Sequence, residues 1–213
     1  MSLCSFHYRE YRCKDQSLIN RFIDTFPLAL ITSERDGNFH CSHIPLLLNP
    51  DGTLFGHVDR RNPQFMNAES LKCHIAFVGP SGYIPPEAYQ NTQLPTWNYL
   101  AVHMQASIDV IDNENINFDL LLQSSRRFAP INCDERVDSR DPRVIRNLPH
   151  IFGLLIRPEN IEGRFKLSQD KPSEDQSSAL NWLIKQQTIN HKQLFDFVSA
   201  LNFHENSNAN RKN

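Results

Sequence analysis

The sequence lacks the glycine-rich motifs that mark several large enzyme classes. Its seven glycines are scattered, and none of them belongs to a Gly-x-Ser-x-Gly, a Gly-x-x-x-x-Gly-Lys phosphate loop or a Gly-x-Gly-x-x-Gly fingerprint. Serine hydrolases, P-loop nucleotide hydrolases and Rossmann dehydrogenases therefore lose their best sequence support.

Long apolar runs, paired cysteines and an excess of positive charge are missing as well. No segment approaches the ~18 to 20 apolar residues that span a bilayer. The net charge of −2 provides no overall basic field for unspecific nucleic-acid binding, so any DNA contact would be local. The cysteines are odd in number and widely spaced, with no signal-peptide pattern before them, and we expect reduced thiols in the cytoplasm. They are Cys4, Cys13, Cys41, Cys73 and Cys133.

Apolar periodicity and turn signals predict an antiparallel, mainly β fold with a few helices. Asp36-Gly37 and Asp51-Gly52 suit tight turns that need positive φ angles. Strands are predicted at 28–32, 39–48, 53–58, 72–78, 97–111, 151–156 and 161–167, and helices at 15–25, 114–128, from 173 onward and near 193–201. Six or seven strands with tight turns and few helices favour a closed or nearly closed barrel.

The length and the position of the last strands predict one domain. Residues 129–147 have little periodicity and are predicted to be a loop, but strands return after it, so it does not divide two domains. We therefore expect a single domain over 1–203 with C-terminal helices, followed by a disordered tail over 204–213.

Trp97, Asn98 and Tyr99 form a cluster at the entry of the long predicted strand. Aromatic rings offer area on which a flat heterocycle can stack, and the Asn98 amide can donate and accept hydrogen bonds along its edge. The alternative is that Trp97 caps the core at a strand entry.

Two arginines, Arg60 and Arg61, precede Asn62 and Pro63, which read as the N-cap and first residue of a helix. Free N–H groups at a helix start, together with a guanidinium, can bind a phosphate. The alternative is a solvated turn with surface arginines.

Cys41 and His43 share one face of a predicted strand, but no further ligand stands at a supporting spacing, so a zinc site is weakly supported. At the last strand, Lys166 and Ser168 share a face and Gln169 lies at its exit, so they could reach one ligand. A strand-end lysine that simply faces solvent is the alternative.

Four motifs occur in order between about residues 26 and 176. They are His43-Ile44-Pro45-Leu46-Leu47-Leu48, Gly56-His57 with Arg60-x-Asn62-Pro63-Gln64, Pro95-Thr96-Trp97-Asn98-Tyr99-x-Ala101-Val102-His103, and Lys166-Leu167-Ser168-Gln169. In this order and spacing they resemble the motifs of the PaiB-like FMN-binding negative transcriptional regulators.

The resemblance implies an FMN-binding split β-barrel with peripheral helices, in which a homodimer holds FMN at its interface. Carried over by position, Arg60, Asn62 and Gln64 would hold the phosphate and ribityl side of FMN. The resemblance marks no metal site. The other cofactor-binding positions that it implies are Ser42, His43, His57, Trp97, Asn98, Lys166, Ser168 and Gln169.

The chain also departs from the family pattern. Arg61 stands where a small residue is common, and Phe65 where the family has another aromatic. The loop Ile84-Pro85-Pro86-Glu87-Ala88-Tyr89 lacks the serine and tryptophan of the family's Ile-Ser-Pro-x-Trp-Tyr, and Gln169-Asp170-Lys171-Pro172 replaces a basic run. These differences concern whatever the two loops contribute to the site.

Three functions remain open. The first is an FMN-binding regulator that uses flavin as a redox or metabolite signal. The net charge of −2 and the lack of an evident helix-turn-helix with a basic recognition helix argue against direct DNA binding, so regulation could be indirect. The second is a flavin-dependent oxidoreductase of the pyridoxamine-phosphate-oxidase-like kind, although no residue identifies itself as a proton donor. The third is a split barrel that binds another heterocycle such as haem, with His57 or His103 as a ligand.

Overall fold

The computed structural model describes residues 8–129 and 141–200, with side chains to residue 187. Its contacts divide the chain into two compact units. Of the described residues, the larger unit comprises 12–79, 101–129 and 141–164, and the smaller unit comprises 8–11, 80–100 and 165–200. We describe each unit by itself.

The strands are β1 (Arg12–Cys13), β2 (Leu28–Arg35), β3 (Asn38–Pro45), β4 (Leu47–Leu48), β5 (Leu54–Asp59), β6 (Ser70–Ile84), β7 (Thr96–Ile111) and β8 (Ile151–Lys166). The helices are α1 (Gln16–Thr25), α2 (Glu114–Phe128), α3 (Pro142–Asn147) and α4 (Ser173–Ala200), and three 3-10 turns cover Arg9–Tyr11, Pro86–Ala88 and Leu148–His150. The predicted antiparallel, mainly β fold with peripheral helices is confirmed.

The sheet follows the order β3-β2-β6-β7-β8-β5-β4, and β1 pairs with β8. In the β2–β3 hairpin, Arg35 lies opposite Asn38, and Asp36 and Gly37 adopt the positive φ angles of 53° and 78° that the tight turn requires. Among the described strands β3 stands at one end of the order, so its outer edge has no strand beside it. The first three residues of the first motif, His43, Ile44 and Pro45, end this strand.

The core of the larger unit is formed by alternate apolar residues of the central strands. These residues are at most 2% exposed and comprise Ala29, Ile31, Ile75, Phe77, Val102, Met104, Leu154 and Ile156. Gly56 on β5 lies close to Pro45 and Leu46. A Cβ atom at this position would come within 2.8 Å of the Leu46 side chain and 2.9 Å of the Pro45 carbonyl oxygen. The glycine of the second motif therefore allows close strand approach.

Helix α1 begins as predicted, because Asp15 accepts hydrogen bonds from the backbone of Ser17 at 2.9 Å and of Leu18 at 3.2 Å. Helix α2 has the predicted bounds. The apolar spacing of Ile116, Leu120, Leu121 and Phe128 predicts that these residues face inward, and their exposure does not match this prediction. Ile116 and Phe128 are 45% and 47% exposed, whereas the buried residues are Asn117 and Ser124. Asn117 Nδ2 donates to the Ile151 carbonyl oxygen at 3.3 Å. Leu120 and Leu121 are half-buried.

Several predicted boundaries are wrong. The strand predicted at 39–48 is divided into β3 and β4, and β6 extends to Ile84. Arg157-Pro158-Glu159-Asn160 does not separate two strands, because β8 runs through it. Residues 142–147 form α3 rather than loop, while residues 130–140 of the predicted loop lie outside the described residues. The predicted second C-terminal helix is the continuation of α4. The predicted disordered tail over 204–213 lies outside the described residues.

The smaller unit has a separate apolar cluster where α4 packs on the 3-10 turn at residues 86–88. Ile84, Ala88, Tyr89, Ala179 and Leu183 are buried in it. Leu167 and Trp182 pack against this cluster from its edge. The first turn of α4 also contributes Asp175, a buried carboxylate that connects α4 to residues 90–93 of the same unit through hydrogen bonds.

Asp175 accepts hydrogen bonds from the backbone of Gln90 at 2.8 Å and of Asn91 at 3.0 Å, and from Gln93 Nε2 at 2.8 Å. Burial raises the pKa of Asp175, but these hydrogen bonds outweigh it and hold the pKa below its usual value. A folded-state pKa below the unfolded one means that the stabilisation is present at neutral pH and lost as the pH falls.

We therefore expect Asp175→Asn to lower the midpoint of thermal unfolding at pH 7 by about 4 °C or more. The difference from the wild type should shrink as the pH falls below about 4, the usual range of an unfolded aspartate. Circular dichroism melts between pH 7 and pH 3 measure this. Glu87→Gln, which changes an exposed carboxylate of the same unit, serves as the control. A difference that does not depend on pH would show that the carboxylate charge is not what stabilises the unit.

Candidate functional site

The segment after β5, residues 60–67, is a series of turns in the larger unit and not the predicted helix. The Arg61 N–H donates to Asp59 Oδ1 at 2.8 Å, and the Asn62 N–H donates to the Asp59 carbonyl oxygen at 2.9 Å. Asn62 Oδ1 in turn accepts from the Gln64 N–H at 3.0 Å. The predicted free N–H groups are therefore occupied, and an anion at this segment would depend on side chains.

Gln64 fixes these turns to the sheet. Its side chain is 3% exposed, and its Nε2 lies 3.2 Å from the Ile31 carbonyl oxygen, 3.0 Å from Ser33 Oγ and 3.3 Å from the His40 carbonyl oxygen. Its Oε1 is buried and has no partner among the described residues. Gln64 therefore holds the segment that carries Arg60 and Asn62 against β2 and β3.

We expect Gln64→Leu to lower the free energy of unfolding by about 1–3 kcal/mol, because buried acceptors on β2 and β3 lose their donor. Urea denaturation measures this loss, and Gln123→Leu, at an exposed position on α2, is the matched control. An unfolding free energy equal to that of the wild type would show that the hydrogen bonds of Gln64 are not needed to hold the turns.

Arg60 is held in a fixed orientation and stays charged. Its two terminal nitrogens donate to the two carboxylate oxygens of Asp112, and its guanidinium lies 4.5 Å from the centre of the Phe152 ring. The hydrogen bond from Arg60 lowers the pKa of Asp112. The Arg60 side chain is 35% exposed, and its Nε has no hydrogen-bond partner among the described residues.

Ser42 and Asn62 are brought together, since Asn62 Nδ2 donates to Ser42 Oγ at 2.9 Å. His43 follows on β3 and is exposed. His57 on β5 lies opposite Gly153 of β8, and burial lowers its pKa, so its imidazole is neutral at pH 7. In the larger unit, hydrogen bonds therefore connect Ser42 to Asn62 and Asn62 to Gln64. Arg60 lies on the same series of turns as Asn62 and Gln64.

The smaller unit contains the other predicted positions, and two of them are bonded to each other. Asn98 and Ser168 are 0% and 1% exposed. Asn98 Nδ2 donates to Ser168 Oγ at 3.1 Å, and Tyr89 Oη lies 3.2 Å from the same oxygen. Ser168 has a φ of 64°, an unusual value for a residue with a side chain. Their polar groups therefore support the backbone around residues 98 and 168.

Lys166 and Gln169 also make local contacts. Lys166 Nζ donates to Thr96 Oγ1 and lies 5.7 Å from the centre of the Tyr11 ring. Burial lowers the pKa of Lys166. Gln169 Oε1 accepts from the Leu167 N–H at 2.6 Å, and Gln169 Nε2 donates to the Phe165 carbonyl oxygen, so this side chain closes the bend after β8.

Trp97 is exposed and paired with a second ring. The side chains of Trp97 and Tyr83 are 55% and 50% exposed, and their ring centres are 6.4 Å apart with planes tilted by 50°. The predicted stacking surface is therefore available at Trp97, which is not buried as a core cap. Exposed aromatic rings of this kind suit a planar ligand.

Two residues that contact the candidate site residues were not predicted from the sequence. Asp112 is the partner of Arg60, and Tyr83 is the partner of Trp97. Asp112 stands one residue beyond the end of β7, so a carboxylate at a strand exit was the available signal. Nothing local marks Tyr83, because its pairing depends on how β6 and β7 lie together.

No helix among residues 8–129 and 141–200 is long and apolar enough to cross a membrane. The three described cysteines, Cys13, Cys41 and Cys73, are free thiols. Burial and the charge of Glu159 raise the pKa of Cys73 to about 12, so this thiol is protonated at neutral pH.

Comparison with known proteins supports a flavin-binding assignment. The family model described as "Putative FMN-binding domain" matches residues 6–160. The protein named protease synthase and sporulation protein PAI 2 of Bacillus subtilis is 25% identical over 182 residues, which cover 83% of this chain and 88% of that protein. An uncharacterised protein of Aspergillus fumigatus is 27% identical over 76% of this chain and 84% of its own length.

Two solved structures share the fold. The FAD and haem binding protein of Mycobacterium smegmatis superimposes with a TM-score of 0.61 at 17% identity, over 79% of this chain and 80% of that one. The flavocytochrome Anf3 of Azotobacter vinelandii superimposes with a TM-score of 0.60 at 12% identity, over 76% and 72%. The predicted split-barrel fold class is thereby confirmed.

Proposed function

The chain belongs to the FMN-binding domain family, and on that premise we propose that it is a regulatory flavoprotein whose bound FMN reports a redox or metabolite state. FMN, the cofactor predicted from the sequence, is confirmed by the family match over residues 6–160. When bound, FMN supplies one- and two-electron transfer, while the protein determines its orientation and electrostatic surroundings. The observation that carries the proposal is this match, together with the similarity to PAI 2 over 83% of the chain.

Arg60 is the residue that we assign to the FMN phosphate. Its guanidinium is charged, one-third exposed and fixed by Asp112 and Phe152, so little side-chain freedom is lost when it binds an anion. Its Nε is a buried donor with no acceptor among the described residues. Asn62 and Gln64 then act mainly by holding the segment that presents Arg60.

Trp97 is the residue that we assign to the isoalloxazine ring. The exposed pair of Trp97 and Tyr83 provides a flat apolar surface, and the Lys166 ammonium is anchored by Thr96, next to Trp97 in the chain. Asn98 and Ser168 contribute by fixing this backbone, because their polar atoms are engaged with each other. His43 and Ser42 remain proposed pocket residues on the open edge strand β3.

We further propose that the protein acts in the cytoplasm as a homodimer with FMN at the subunit interface. The free thiols support the compartment, and the open edge of β3 offers a surface for a second copy. Light scattering after gel filtration tests the dimer. A mass near twice the 24.7 kDa of the chain is expected with FMN present, and a mass of one chain under saturating FMN would contradict it.

Regulation is proposed to work through the flavin state, since a net charge of −2 does not favour unspecific DNA binding. The test is to load the protein with FMN, add NADH or NADPH under air, and follow nucleotide absorbance. If the protein is a regulator, it should oxidise NADH or NADPH no faster than the same concentration of free FMN does. Rapid consumption over many turnovers would overturn the regulatory proposal in favour of a flavin oxidoreductase.

A further inference from the structure

Two histidines of neighbouring strands meet in the larger unit at a place that the proposed flavin chemistry does not use. His74 lies on β6 and His103 on β7, which are adjacent in the sheet. Their rings are stacked, with centres 5.2 Å apart and planes tilted by 28°. His103 Nδ1 and His74 Nε2 are 3.2 Å apart. The pair is reachable from solvent, since His74 is exposed while Cys73 and Ile75 on either side of it are buried.

A separation of 3.2 Å suits two ligands of one metal ion. Zinc binds imidazole nitrogen at about 2.0–2.1 Å. An ion at that distance from both nitrogens would subtend an N–metal–N angle of roughly 100°, close to the tetrahedral value that zinc prefers. For both lone pairs to point at such an ion, each must lie roughly 40° from the line that joins the two nitrogens, which follows from the same distances.

We propose that His74 and His103 chelate a divalent transition-metal ion of the Zn²⁺, Ni²⁺ or Cu²⁺ type. Imidazole nitrogen favours these ions over Mg²⁺ and Ca²⁺, which take oxygen ligands. Two strands of one sheet hold both ligands in place, so the second ligand binds as an intramolecular step with little entropy cost.

Water completes the coordination, because no group of three or more histidine, cysteine or acidic side chains converges within residues 8–129 and 141–200. The local charge does not favour tight binding. Arg164 acts electrostatically on His74, although its guanidinium is paired with Glu162 at 3.0 Å. We therefore expect reversible binding that a strong chelator removes, unlike that of a structural zinc site.

The test is a calorimetric titration of the full chain with Zn²⁺ after treatment with a chelator. The wild type should bind one Zn²⁺ at this site, and His74→Ala or His103→Ala should weaken that binding by at least about tenfold, because a chelate becomes a single ligand. His150→Ala, at an exposed histidine outside the pair, is the control and should bind as the wild type does.

A second measurement does not depend on any variant folding. In the wild type labelled with ¹⁵N-histidine, Zn²⁺ should shift the resonances of His74 Nε2 and His103 Nδ1 and not those of His150. The proposal is overturned if Zn²⁺ leaves these two nitrogens unchanged, or if both alanine variants bind Zn²⁺ with the affinity of the wild type.

Discussion

Replacing Arg60 by alanine is expected to weaken FMN binding by about tenfold to a hundredfold, the range set by hydrogen bonds to a charged group, while riboflavin binding changes little. The two ligands differ only in the phosphate, so the difference isolates the group that Arg60 is proposed to hold. Calorimetric titration of both flavins measures the effect. An equal loss of affinity for FMN and riboflavin would contradict the assignment.

Arg157→Ala is the matched control for this prediction. Arg157 pairs with Asp109 as Arg60 pairs with Asp112, and it is also partly exposed, so its loss reproduces a broken arginine–aspartate pair away from the turn. FMN affinity should be unchanged in this variant. If it falls as far as in Arg60→Ala, general electrostatic attraction rather than a specific contact explains the loss.

The pair of Arg60 with Asp112 allows a sharper test. The Asp112 carboxylate competes with phosphate for the Arg60 guanidinium and repels the phosphate charge. Asp112→Asn keeps an amide oxygen that accepts a hydrogen bond from Arg60 and removes the competing charge, so it should strengthen FMN binding and leave riboflavin binding unchanged. If Arg60 served only to anchor Asp112, the two variants Arg60→Ala and Asp112→Asn would alter stability alike and neither would separate the two flavins.

Replacing Trp97 by leucine is expected to produce the other large effect, with a different signature. A stacking residue contacts the isoalloxazine ring and not the phosphate, so affinities for FMN and riboflavin should fall by the same factor, about fivefold to tenfold for one lost aromatic contact. The fluorescence of the bound flavin should rise, because the electron-rich indole no longer quenches it.

Fluorescence titration of both flavins measures this change. The protein should remain folded, since the Trp97 side chain is 55% exposed. Leu94→Ala, at a position that is 82% exposed in the same unit, is the control. Unchanged fluorescence and affinity in Trp97→Leu would remove Trp97 from the flavin site and leave it as a surface residue of the smaller unit.

Features fixed by local chemistry could be predicted from the sequence. The Asp15 cap of α1 and the Asp36-Gly37 turn depend on residues within a few positions of each other. The family could likewise be predicted, because four motifs in order are more specific than any one of them. The flavin assignment followed from those motifs rather than from composition.

Features that depend on distant partners could not be predicted. Asn62 and Pro63 look like a helix start, yet Gln64 is drawn into the sheet by acceptors on β2 and β3, and the segment folds as turns instead. Pro158 looks like a strand break. It lies between the part of β8 that pairs with β5, residues 151–156, and the part that pairs with β1, residues 163–164. Among the described strands, neither β5 nor β1 pairs with β8 at residue 158. The missing N–H of Pro158 therefore removes no hydrogen bond to either of them.

The candidate site residues show the same contrast between what the local sequence indicates and what depends on distant partners. Sequence pattern located Arg60 and Trp97, which are accessible to a ligand. It did not distinguish them from Asn98 and Ser168, which lie in the same motifs but are buried and bonded to each other. Burial is a property of the folded chain, so motif membership alone could not separate the exposed residues from the buried ones.

The chain's assignment to the FMN-binding domain family predicts that the purified protein binds FMN. The most direct measurement is a calorimetric titration of the purified protein with FMN, accompanied by absorption spectra. We expect saturable binding of one FMN per chain, with a shift of the flavin bands in the visible spectrum. No heat of binding and an unshifted flavin spectrum, in protein shown by circular dichroism to be folded, would show that this chain does not bind FMN.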